Sequence, residues 1–105
     1  MAWIHVGDQK LINSAHIISV ELVNGYPEDT DQSGVVCVVY AQVAHPEREE
    51  RITLGEFPGN DRKAVRDKGE MFYERVMQLL AADETFDAVR LGMNVHSDYK
   101  KRESR

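Results

Sequence analysis

The side chains best suited to metal or nucleophilic chemistry are His5, His16, His45 and Cys37. Their spacing does not favour either. No two of these histidines stand two or four residues apart, and neither a CxxC nor an HExxH motif occurs, so a metal would need ligands converging from separate strands. Cys37 lies among valines, where a thiol behaves as a small hydrophobe. A reactive cysteine needs a basic neighbour or a helix N-terminus to stabilise its thiolate, and the local sequence supplies neither. Oxygen ligands are more plentiful. Asp29, Asp31, Ser33 and Gly34 fall at positions 1, 3, 5 and 6 of a calcium loop, but position 12 is Tyr40 rather than a bidentate carboxylate. Weak Ca2+ binding is the most these acids could support. Residues 55–63 bring glycine and two cations to a helix start. Glu56 and Asp61 oppose an anion there, and the GxxxxGK[ST] spacing is missing. With 18 acids in the chain, no carboxylate pair is singled out for general acid–base work. The sequence therefore predicts no enzyme and no cofactor.

The elements that would position such groups begin with two short apolar runs, residues 3–6 and 9–12, joined by Gly7-Asp8. Glycine there can supply the positive φ of a tight hairpin. Asn13-Ser14-Ala15 is a turn signal, because Asn and Ser compete for backbone hydrogen bonds. Residues 17–23 alternate, with Ile18, Val20 and Leu22 on one face and Ser19 and Glu21 on the other, as in a half-buried strand. Residues 24–34 form a long acidic loop. Residues 35–44 carry the strongest strand signal. They are dense in β-branched residues and apolar on both faces through Tyr40, which predicts a central strand shielded front and back. After a turn at Pro46, residues 51–54 alternate again with Ile52 and Leu54 inward, and Phe57-Pro58-Gly59 reads as a break.

Asn60 or Asp61 can cap a helix running to about Ala82. Val65, Phe72, Val76, Leu79 and Leu80 form its apolar stripe. Gly69 falls on that stripe. Because glycine inside a helix costs about 1 kcal/mol relative to alanine, its placement predicts a close approach of helix to sheet. Residues 85–91 are a short element, either a strand or more helix. The expected fold is α+β: a 4–5-stranded antiparallel meander or partial barrel packed by one long C-terminal amphipathic helix. Residues 1–91 form the single domain, and residues 92–105 a basic, flexible C-terminal tail.

At 105 residues, 42% apolar and 30% charged, the chain has the composition of one folded domain. Its net charge of −5 argues against nucleic acid and anionic membranes as partners, because phosphate neutralisation needs clustered Lys and Arg. The cations cluster in two places: Lys100, Lys101, Arg102 and Arg105 lie in the last residues, and Arg62, Lys63, Arg66 and Lys68 near the start of the helix. The uncharged apolar run at 34–44 is far short of the roughly 20 residues that span a bilayer. The first residues have neither the basic nor the apolar region of a signal peptide. A single cysteine allows no internal disulfide, so the expected setting is cytoplasmic.

The early Trp3, the Ile12-Asn13 turn, the strand from Ile17 through Val20-Glu21, the Val-rich strand and the closing helix together resemble short bacterial proteins with a reduced pleckstrin-homology-like roll, among them the FlbD-type flagellar regulators. The resemblance covers residues 3–54 and the helix. It implies a small binding or regulatory module and carries over no catalytic residue. The insertion at 24–34 and the chain beyond Asp83 depart from the pattern.

The functional expectation is a non-catalytic cytoplasmic binding or regulatory protein that self-associates as a homodimer through the 35–40 strand or the helix. Val36, Val38 and Tyr40 are its candidate surface. The alternative is an acidic accessory or immunity-type protein that masks a basic protein partner with Glu28, Asp29 and Asp31.

Overall fold

A computed structural model describes residues 2–7, 10–25 and 34–103. Six strands lie in two three-stranded sheets, with two helices. β1 (Trp3–Val6) and β2 (Lys10–Asn13) form an antiparallel hairpin in which Ile4 faces Ile12. Gly7 follows β1 with φ +66°, the left-handed conformation its sequence position called for. Asn13 Oδ1 then accepts from the Ala15 N–H at 3.0 Å and caps a single 3-10 turn, Ser14–His16. This turn ends the hairpin and starts a second sheet. β3 (Ile17–Gly25), β4 (Val35–Ala44) and β5 (Glu49–Gly59) form an antiparallel meander with β4 in the centre.

The α+β class is as the sequence predicts, but in place of one sheet of four or five strands the chain forms two sheets, of which only β3–β4–β5 is a meander. Three further details differ. First, β5 does not break at Phe57. Its ladder with β4 runs on through Val36↔Pro58 and Val35↔Gly59. Pro58 is tolerated because β5 is an edge strand, where a missing donor removes no ladder bond. Second, Phe86–Asp87 forms β6, which pairs parallel to β1 and completes the first sheet. Third, residues 92–103 are not a flexible tail. They belong to the helix α2 (Ala88–Glu103), which packs on β5, β1 and the preceding helix. Ala88, Val95 and Tyr99 are buried and Leu91 half-buried, a stripe spaced by three and four residues. Asp87 Oδ1 accepts from the Arg90 N–H at 3.1 Å to cap the start of α2. Lys100, Lys101 and Arg102 occupy its last turn, where they complement the helix dipole. The basic cluster thus belongs to a helix end.

The first helix, α1 (Arg62–Ala81), begins where expected. Asp61 Oδ1 accepts from the N–H groups of Lys63 and Ala64 at 3.0 and 3.3 Å. Its buried residues, Val65, Gly69, Phe72 and Val76, form one stripe against the inner face of the meander, where Cys37, Val39, Ala41 and Val43 of β4 are buried. Phe72 meets Phe57 edge to face, with centroids 5.4 Å apart. At Gly69 the approach is closest. A Cβ there would lie 2.1 Å from Cys37 Sγ and 2.9 Å from Cys37 Cβ.

Two stability measurements check this packing. Gly69→Ala should lower stability to urea by about 1–3 kcal/mol, although alanine favours an isolated helix by about 1 kcal/mol. Adding Cys37→Ala to that variant should recover part of the loss; a stabilised Gly69→Ala would show that the helix is not seated this closely. Val95→Ala should cost about 1–3 kcal/mol in the same assay, as trimming a buried aliphatic group does, whereas a flexible tail would register no change.

Candidate functional site

α1 covers only one face of the meander. Side chains alternate along β4, so burying Cys37, Val39 and Ala41 under the helix turns Val36, Val38 and Tyr40 to the opposite face. The expectation of a strand shielded on both sides is therefore corrected: Val36 and Val38 are only half-buried. On β3, Val23 opposes Val38 and is 44% exposed, while on β5 the exposed Pro58 opposes Val36. Together they make an apolar patch at one end of the outer face. Tyr40 lies at its border and is covered by side chains of its own sheet. The Arg51 guanidinium sits 4.3 Å above its ring centroid. A hydrogen bond to the Glu21 carboxylate, aided by burial, holds the phenol above its usual range, with Arg51 opposing. The rim of the patch carries both signs of charge: Glu21, Glu56 and Arg51 are all exposed.

The other candidates from the sequence do not converge. Glu28, Asp29 and Asp31, and with them the calcium positions, lie outside the described residues. His45 Nε2 is 2.9 Å from Glu50 Oε2, and Lys10 Nζ is 2.6 Å from Glu50 Oε1. These two bonds hold the Glu50 carboxyl below its ordinary value. Among the described residues, no group of three His, Cys, Asp or Glu is placed to hold a metal ion. No helix among them is long and apolar enough to cross a membrane. Cys37 is fully buried beneath Gly69, and burial, with the Glu70 charge adding, pushes its thiol up.

A second feature is visible only in three dimensions. A groove of about 690 Å3 runs between β5 and α2. Leu54 and Phe57 contribute apolar wall from the strand, and Val89 and Met93 from the helix, with Met93 68% and Val89 50% exposed. Lys68 of α1 joins His96 and Lys100 of α2 in its lining. Lys68 Nζ lies 5.3 Å from the centroid of Tyr99. The His96 imidazole is held below its usual value, mainly by burial and further by the charges of Lys68 and Lys100. No family model matches this chain, and no curated protein or solved structure matches it either.

The groove was not legible in the sequence, because reading residues 92–105 as a tail hid the wall made by Met93, His96 and Lys100. The signal that could have found them is the stripe of Ala88, Leu91, Val95 and Tyr99 behind the capping residue Asp87. The same period would have left Val89 and Met93, four residues apart, as a second apolar row beside it.

The burial of Cys37 gives a direct check on reactivity. In the native protein the thiol should resist an aromatic disulfide reagent at neutral pH and react at once in denaturant. Fast native-state labelling, followed by absorbance, would contradict the burial described here.

Proposed function

We propose that the protein is a non-catalytic binding or regulatory module, of the kind its resemblance to short bacterial regulators implies, and that it self-associates through the outer face of the β3–β4–β5 meander. One observation carries this reading. The central strand of the sheet leaves Val36 and Val38 only half covered, in a patch completed by Val23 and Pro58. A second copy fits the patch because a two-fold interface must be self-complementary, with each residue on one copy meeting its counterparts on the other. The mixed rim of Glu21, Glu56 and Arg51 permits that, since two-fold pairing can set Arg51 of one copy against an acid of the other. A patch rimmed by one sign alone would repel itself.

Sedimentation velocity tests the proposal. The full chain should sediment as a dimer at high micromolar concentration. Val38→Lys, which adds a buried unpaired charge to each half of the interface, should convert it to monomer without unfolding it. A strict monomer for the unaltered protein would overturn self-association and favour the alternative, in which a basic protein partner is recruited by the acids.

A further inference from the structure

We infer that the groove between β5 and α2 binds an anionic amphiphile: one extended acyl chain along the apolar walls, with its charged head held by Lys68 and Lys100. The inference rests on the way the groove divides along α2. At the N-terminal end of the helix its lining is Ala88, Val89 and Met93; one to two turns further on it becomes His96 and Lys100, joined by Lys68 from α1. From Ala88 to Lys100 the helix rises about 18 Å, a length that suits a single acyl chain. The volume of about 690 Å3 falls within the roughly 300–1,000 Å3 typical of small-ligand sites. Two exposed apolar side chains on one helix face are costly to leave in water, and Met93, with its flexible thioether, adapts its shape to a chain lying against it.

Charge complementarity selects the head group. Lys68 and Lys100 both depress the titration of the His96 imidazole, so their positive fields overlap at that end of the groove. Glu56 is the one acid in the lining, and it stands on the strand side, paired across the ladder with Val38. Cationic side chains thus outnumber acidic ones in the lining, on a chain whose overall charge is −5. An anion is favoured there, and a cationic amphiphile is disfavoured at the same place. An acidic amphipathic helix would satisfy the charges as well. It would, however, need a contact of around 800 Å2 per partner, far wider than a trough with one strand and one helix as walls. The groove shares Glu56 and Pro58 with the outer-face patch, but its helix wall of Val89, Met93, His96 and Lys100 belongs to α2, and neither Val36 nor Val38 lines it.

Calorimetric titration of the full-length protein with dodecanoate, kept below the concentration at which it forms micelles, tests the inference. Saturable one-to-one binding is expected, with none for acetate, which lacks the chain, or for dodecyltrimethylammonium, which reverses the charge. The double variant Lys68→Glu, Lys100→Glu should weaken binding by about tenfold or more, the size expected when two exposed charge contacts become repulsive. Met93→Asp should abolish binding; because Met93 is exposed, its thermal unfolding should stay unchanged. Val38→Lys should bind dodecanoate as the unaltered protein does, which separates this site from the dimer surface. Equal binding of dodecanoate and the cationic amphiphile, an unchanged affinity in the double-lysine variant, or binding of an acidic helical peptide in place of dodecanoate would each overturn the inference.

Discussion

The seating of α1 on β4 depends on a contact with almost no room in it. Where Gly69 crosses Cys37, the helix backbone comes so close that even a methyl group would run into the thiol. Every neighbouring contact is set by that approach. Val65 and Phe72 reach the sheet on either side of it, and Phe72 comes into edge-to-face contact with Phe57. Interiors are packed like crystals, so a helix held a little further out would open gaps along the whole stripe. The conformational freedom that glycine brings to a helix opposes folding, and the packing gained by close approach offsets it.

That arrangement uses up one face of the meander and leaves the other to solvent. The inner face is wholly apolar: among the described residues, no polar or charged side chain is fully buried and no buried side-chain nitrogen or oxygen lacks a partner. Polar groups are confined to the outside, where they tie local structure together. Glu50 joins Lys10 of the hairpin to His45 of the β4–β5 turn, and Arg75 of α1 pairs with Asp98 of α2 at 2.8 Å. Such exposed pairs contribute little energy individually. They do, however, bridge the two sheets and the two helices, so they help set the register of parts that the core alone holds loosely.

Local patterns marked the central part of this fold clearly. The valine-rich run at 35–44, the cap at Asp61 and the stripe from Val65 to Val76 are all dominated by near neighbours, and near neighbours are what a sequence displays. The misplaced glycine at 69 even indicated a tertiary contact, because its local cost had to be met by something distant. Readings failed where distant pairing overrode local preference. Pro58 looked like a break until its position on a sheet edge made its missing donor harmless. Phe86 and Asp87 form a strand only because β1 lies beside them, and two residues have no period to read. The helix after them was hidden by Gly92 and by terminal lysines that resembled a solvated tail. Of the surfaces, Val36 and Val38 were legible because they stand on a strong strand. Lys68, Met93, His96 and Lys100 were not, since one lies on α1 and three on α2, and only tertiary packing brings them together.

The parallel pairing of β1 with β6 has a consequence for how the chain is made. Ile4 and His5 take their partners from Phe86 and Asp87, and the Trp3 N–H donates to Thr85 Oγ1 at 3.1 Å across 82 positions of sequence. A ribosome delivers the hairpin well before the strand that pairs beside it. The β3–β4–β5 meander and α1 are contiguous and can assemble as they emerge, since their contacts close short loops. The first hairpin must wait beside them with one edge unpaired until β6 has been made. The hairpin therefore reaches its native neighbour only after the meander and α1, made later than it, can already have assembled.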